Sequence, residues 1–414
     1  MESFQSERLR ELVRHAVEDV PFYRKLYGDR GLNPAEIRGL GDLEQIPFAY
    51  RSQMQEAPPK DLVARGFRPD RLIVHRTSGS TGQFFSTRRT WFEERLLHGI
   101  RLREHLLRGV RLTDVRVRVS VLGHGMALSR TEKMMNRLGL LRKPIVSCLL
   151  PAAEILKQVA EFRPDVLIGY PDALAWISSE ITSEHRKKIR PRLILTGGET
   201  LTADMRRQIS EGFQTRVFDL YGSHEYNVLA CECPQTGLYH VTDDSVILEV
   251  LRDGKPVGPG ESGEVFATAL HSFAMPFIRY WVGDVATRGP LRCPCGAPYS
   301  TLESIQGRVI DRFILPDGTK LHPYHLLEPL VNGAPWLRRY QLIQERIDRI
   351  LFKVVPLQGQ RPGAEEIRRV ESMLKQPLGP RVELVTEVVE TLPPAGSGKF
   401  RPYCSLVTEG TDPA

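Results

Sequence analysis

The chain has 414 residues, of which 41% are hydrophobic and 26% charged, a balance that excludes a disordered or fibrous chain and fits a soluble globular protein. Its formal charge is only +7, from 57 Lys and Arg against 50 Asp and Glu. The excess is arginine scattered along helical stretches without interleaved aromatics, which speaks against nucleic acid and for a basic face that attracts anionic small molecules.

A chain of this length exceeds what one hydrophobic core usually serves, so a large domain and a smaller one are expected. At the N-terminus, Leu9, Leu12, Val13, Ala16 and Val20 fall on one helical face, and the segment has no apolar core of signal-peptide type. No run approaches the length of a membrane span. The first 300 or so residues alternate helical patterns, for example 93–107 and 203–213, with short β-rich runs. "DVRVRVSVLG", "PDVLIGYP", "PRLILTGG" and "TRVFDLYG" each end at glycine or proline, as strands do when they run into loops over a sheet edge. That order predicts an α/β architecture with ligands at the carboxyl ends of strands. From about Gly307 the texture changes. A hairpin turning at Asp317-Gly318, strand patterns at 339–343 and 349–355, a helix holding Ile367, Val370 and Leu374, and a closing "RVELVTEV" predict a compact α+β unit. The expected domains are 1–306 and 307–414.

The segment "HRTSGSTGQFFSTRR", residues 75–89, carries hydroxyls and glycines with almost no side-chain bulk. Glycine lets backbone N–H groups approach an anion and Ser and Thr add donors, so a phosphate cradle competes here with a plain solvated turn. Neither G-x-x-x-x-G-K-[ST] nor a helix-opening G-x-G-x-x-G is present. Four of the six cysteines form two C-x-C pairs, Cys231/Cys233 and Cys293/Cys295, each too close for an ordinary disulfide framework, which points to a cytoplasmic protein. With His240 they offer five candidate ligands for a tetrahedral metal site, against the alternative of buried unliganded thiols.

Five separate stretches, in order, carry a resemblance to the adenylate-forming enzymes, the superfamily of acyl-CoA ligases, luciferases and peptide-synthetase adenylation domains. "RTSGSTGQ" resembles its phosphate loop, "DLYGSHEYN" its aromatic-and-glutamate motif, "RYWVGDVA" its ribose aspartate motif, "GRVIDRF" its hinge and "PPAGSGKFRPY" its catalytic-lysine loop. The opening "LVRHAVEDVPFYRKLYGDRGLNPAEIRGLGDLEQIPF", with "LIGYPDALAWI" and "ECPQTGLYHV", is similar to the phenylacetate-CoA ligase branch, which also takes in capsule-cluster enzymes and synthetases that adenylylate a cofactor hydroxyl. Gln83 stands where many relatives carry lysine.

The resemblance implies a large multi-layered N-terminal α/β domain followed by a small C-terminal α+β domain that rotates about a hinge. It implies ATP-dependent activation of a carboxylic acid, aryl or arylacetic, as an acyl-adenylate, with pyrophosphate released. The acyl group then passes to the thiol of CoA or, alternatively, to an amine or a carrier-protein thiol. A regulatory protein that binds nucleotide without turnover is the other reading. Thr77, Ser78, Gly79, Ser80, Thr81 and Gly82 would hold phosphates, and Glu225 would ligate magnesium. Gly198, Glu199, Tyr221, Gly222 and Ser223 would frame the nucleotide base, Asp284 would accept from the ribose hydroxyls, and Arg308 would reach phosphate or ribose. Lys399 would come down on the α-phosphate, while Gly123, His124 and Tyr170 would line the acid pocket. Resemblance to zinc-bearing members of the branch favours Cys233, His240, Cys293 and Cys295 as a structural zinc site and leaves Cys231 out. No nucleic-acid or membrane partner is expected, and a homodimer is an open assembly.

Overall fold

A computed structural model describes residues 1–77, 85–120, 130–148, 150–308, 313–321, 326, 334, 336–357, 360–392 and 403–407. The chain divides into two compact units, Met1–Gly307 and Arg308–Ala414. In the first, a hairpin of β1 (Ile73–Thr77) and β2 (Phe85–Arg89) pairs antiparallel with Ile73 opposite Arg89 and Thr77 opposite Phe85. The remaining strands form one large sheet.

Half of that sheet is parallel: β3 (Arg116–Ser120), β4 (Ile145–Ser147), β5 (Val166–Gly169), β6 (Leu193–Gly197) and β7 (Val217–Tyr221). Helices Ala152–Phe162, Pro171–Ser179 and Ala203–Phe213 intervene, as parallel crossovers require. Strands covered on both faces need apolar residues at consecutive positions, and Val166, Leu167, Ile194 and Leu195 are all buried. The other half is largely antiparallel: β8 (Ala230–Glu232), β9 (Tyr239–Val241), β10 (Val246–Arg252), β11 (Lys255–Pro256), β12 (Ser262–Ala269), β13 (Tyr280–Arg288) and β14 (Thr301–Arg308). The strand order β11-β10-β12-β13-β14-β9-β8-β7-β6-β5-β3-β4 places β8 against β7, so the two halves join there.

The N-terminal helix Glu2–Asp19 buries Leu9, Leu12, Val13 and Ala16. With Tyr23 and Tyr27 they share a core with Val246, Val265 and Phe277 from the antiparallel half. A second core, around Val117, Ile155, Ile177 and Ile194, belongs to the parallel half.

In the second unit, β15 (Phe313–Ile314) and β16 (Lys320–Leu321) form the hairpin expected at Asp317-Gly318. A separate sheet orders β19 (Glu383–Val388), β18 (Arg349–Pro356), β17 (Leu337–Arg346) and β20 (Tyr403–Ser405). The helix Ala364–Leu378 buries Val370, Leu374 and Leu378 in that unit's core. The buried amide of Gln344 on β17 accepts from Ile314 N (3.0 Å), donates to Ile314 O (2.6 Å) and accepts from Ser405 Oγ (2.8 Å). One side chain thereby ties β15 and β20 to β17. Among the described residues, no helix is long and apolar enough to cross a membrane.

Candidate active site and cysteine knuckle

The register of the parallel strands aligns their carboxyl ends. Val119 lies opposite Gly169, Gly169 opposite Thr196 and Gly197 opposite Leu220. Tyr170, Gly198 with Glu199, and Tyr221 with Gly222 therefore leave the sheet along one edge. Tyr170 opens the helix Pro171–Ser179. Burial pushes its hydroxyl pKa up, Arg118 pulls the other way, and Glu199 and Cys148 add to the rise. Gly198 turns with φ +83°, a conformation that side chains resist.

Tyr221 ends β7 and its Oη donates to Oδ2 of Asp284 on β13 at 2.6 Å. Both residues are buried. Gly222 follows because the turn folds back on itself: a Cβ there would lie 2.2 Å from Asn227 O. Asn227 closes the turn with φ +68° and donates from N to Ser223 O at 2.8 Å, while Ser223 Oγ accepts from Glu225 N at 3.2 Å. The turn so built presents Glu225, a carboxylate only 6% exposed that receives no hydrogen bond or ion pair among the described residues. A carboxylate oxygen of this kind suits magnesium.

Of the remaining expectations, Thr77 and Arg308 have described backbones, closing β1 and β14. Ser78, Gly79, Ser80, Thr81, Gly82, Gly123, His124 and Lys399 lie outside the described residues, as does Asp311 of the hinge motif.

Away from these strand ends, Cys233, His240, Cys293 and Cys295 bring their ligand atoms within 4.8 Å of one another. Cys233 Sγ is 3.9 Å from Cys293 Sγ, and Cys295 Sγ is 3.5 Å from His240 Nε2. Thiolates about 2.3 Å from a tetrahedral zinc stand roughly 3.8 Å apart, so the spacing fits the ion. Turns shape the ligands, with Gly237 N donating to Cys233 O at 3.1 Å and Gly296 N to Cys293 O at 3.0 Å. Burial opposes ionisation of Cys233, yet the Thr236 hydroxyl and the N–H groups of Gln235 and Thr236 outweigh it and hold the thiol below its ordinary range. Burial lowers the His240 pKa, favouring the neutral imidazole that binds metal. Cys231 lies outside the quartet, and burial pushes its thiol up to about 12.

Two features had no signal in the sequence. One is a buried carboxylate network: Asp219 accepts from Thr196 Oγ1 (2.6 Å) and Tyr239 Oη (2.9 Å), while Glu232 Oε2 accepts from Asp219 N (2.9 Å) and Arg206 Nη2 (2.9 Å). It spans from the strand before Gly198 to the neighbour of His240. The other is a pair of arginines at the Glu225 turn, buried Arg89 and half-buried Arg101.

Residues 313–404 match the CapK C-terminal domain family. Phenylacetate-coenzyme A ligase of Thermus thermophilus is 26% identical over 355 residues, covering 84% of this chain and 78% of that protein. The Escherichia coli enzyme of the same name is 25% identical over 368 residues, covering 86% of this chain and 82% of that one. Among solved structures, 2-hydroxyisobutyryl-CoA ligase in the postadenylation state superimposes with a TM-score of 0.75 at 19% identity, covering 97% of this chain and 88% of that one.

Proposed function

We propose that this chain, a member of the adenylate-forming superfamily and a homologue of the phenylacetate-CoA ligases, joins a carboxylic acid to the α-phosphate of ATP, releases pyrophosphate, and passes the acyl group to the thiol of CoA. The observation that carries this reading is the pairing of Tyr221 with Asp284 beside the turn that presents Glu225, at the carboxyl ends of parallel strands. Joining two anions is an electrostatic problem, and the residues divide it. Thr77 to Gly82 would hold the departing phosphates. Glu225 would hold magnesium, whose charge offsets the phosphates when bound. Asp284, oriented by Tyr221, would accept from the ribose hydroxyls, while Gly198, Glu199, Gly222 and Ser223 frame the base and Arg308 reaches phosphate or ribose. Lys399 would bring a cation to the α-phosphate.

For the acid, Gly123, His124 and Tyr170 would form the pocket, and the relatives' name supports an aryl or arylacetic substrate. Cys233, His240, Cys293 and Cys295 would hold zinc, which supplies cross-linking of two distant loops, not chemistry. Cysteines without disulfides suit a cytoplasmic setting. The alternative for the last step is transfer to an amine or a carrier-protein thiol.

The test is acid-dependent exchange between pyrophosphate and ATP with magnesium, over benzoic, phenylacetic, hydroxylated aryl and short aliphatic acids. Exchange with an aryl acid is expected, and CoA or an amine added to productive acids decides the acceptor. Lys399→Ala should slow exchange roughly 100-fold or more while sparing transfer from a supplied acyl-adenylate. Wild-type protein that exchanges with no acid would leave the regulatory reading.

A further inference from the structure

Two carbonyls of the turn that presents Glu225, those of His224 and Asn227, accept from side chains of other elements. Both are met by guanidinium groups from elsewhere. Arg89 Nη2 donates to His224 O, and Arg101 Nη2 donates to Asn227 O at 3.0 Å. Arg89 is the last residue of β2 and pairs with Ile73, the first residue of β1. Arg101 belongs to the helix Trp91–Leu107 that follows.

Arg89 is itself held. It is 5% exposed, and its Nη1 meets Glu94 Oε2 at 3.2 Å. Glu94 also contacts His75 Nε2 of β1 at 3.0 Å and His98 Nε2 at 3.1 Å. Burial alone would raise the Glu94 pKa, but the hydrogen bond from His75 and the charges of His75, His98 and Arg89 outweigh it and bring it to about 2. The carboxylate is therefore ionised at neutral pH and anchors Arg89 against both strands of the hairpin.

We propose that Arg89 and Arg101 are positioning residues that fix the Glu225 turn against β2 and the helix Trp91–Leu107, so that the carboxylate is held where it would ligate magnesium. The inference rests on the reading of Glu225 as the magnesium ligand. The two contacts fall on either side of Glu225, at positions 224 and 227, and tie its turn to β2 and to the helix that follows. Asn227 O is also the atom that packs on Gly222, which extends the constraint to the residue after Tyr221. A guanidinium suits the task because its planar fork reaches a carboxylate and a carbonyl at once. Lysine offers a point charge and no fork.

Arg89→Met, Arg89→Lys and Arg101→Met test it. Losing one charge-assisted hydrogen bond should raise the magnesium concentration for half-maximal exchange, and the KM for MgATP, roughly tenfold or more. The KM for acid and transfer from a supplied acyl-adenylate should stay at wild-type values. Arg89→Lys should recover only part of the loss, and it replaces the methionine variant in every measurement if that variant fails to fold. Losses spread equally over MgATP, acid and transfer, in step with a fall in melting temperature, would reduce the arginines to general packing and overturn the proposal. So would unchanged magnesium dependence. If wild type shows no exchange with any acid, the functional reading fails first, and amide hydrogen exchange then tests the clamp without turnover. Faster exchange confined to 222–228 in Arg89→Met is the expected result, and unchanged protection there overturns it.

Discussion

The two halves of the large sheet are held in different ways. In the parallel half, Val117, Val119, Leu167 and Ile194 are fully buried apolar residues at the centre of one core, and any side chain of similar size would serve nearly as well. The antiparallel half buries named polar partners. Arg279 is 2% exposed and gives Nε and Nη2 to Glu249 at 2.9 and 2.7 Å, Nη1 to Ile46 O at 2.8 Å, and its face to Phe48 at 4.2 Å. The cysteine knuckle and Asp284 lie in the same half. Apolar burial scales with area and tolerates exchange, whereas a buried charge depends on one partner. The parallel half should thus yield gradually to substitution and the antiparallel half abruptly.

Metal removal should separate them most. Chelation, or Cys293→Ser, would uncouple residues near 233 from those near 293 and should lower the melting temperature by roughly 10 °C or more, because a structural ion couples binding to folding. Elemental analysis of protein purified without added metal should find one zinc per chain. Metal-free protein with six titratable thiols and unchanged melting on chelation would erase this half of the contrast.

Next in size is Arg279→Met, which leaves Glu249 buried without its partner and should cost about 3–5 kcal/mol by denaturant unfolding. Ile194→Val in the parallel half should cost about 1 kcal/mol. Adding Glu249→Leu to Arg279→Met should recover much of the loss, and failure to recover would mean that packing on Phe48, not the stranded charge, sets the cost.

Tyr239→Phe probes the seam between the halves. It removes one donor to buried Asp219 and should cost about 1–3 kcal/mol. A loss below 0.5 kcal/mol, the range of an ordinary surface change, would show that Thr196 alone satisfies the carboxylate.

The last effect has no amplitude at neutral pH and is read only in acid. Burial depresses the His105 pKa to about 3, with Arg101, Arg116, Lys143 and Arg108 adding to the fall. Its stability contribution is whole above the unfolded value near 6.5 and is lost as pH falls toward 3, because the unfolded chain binds the proton first. His105→Gln should flatten stability against pH across that window, and an unaltered slope would assign the acid sensitivity elsewhere.

What the residues settle locally could be read in advance. Apolar runs before Gly169, Gly197 and Gly222 became strands β5, β6 and β7, and the helical faces of 2–19 and 203–213 formed where periodicity placed them. Such features follow from neighbours along the chain, since backbone preference and burial of one face act within a few residues. Resemblance added the residue types of the site and the choice of four ligands among five. Tertiary structure alone decided the partners. Tyr221 finds Asp284 because the strand order brings β7 and β13 into one sheet, and the same folding brings Cys233 and His240 to Cys293 and Cys295. Arg89 and Arg101 carried no signal, since a buried arginine reads as a surface arginine until its carbonyl is known. Hydrogen bonds and ion pairs act over about 3 Å, so residues far apart in sequence become partners only after the sheet has chosen its order.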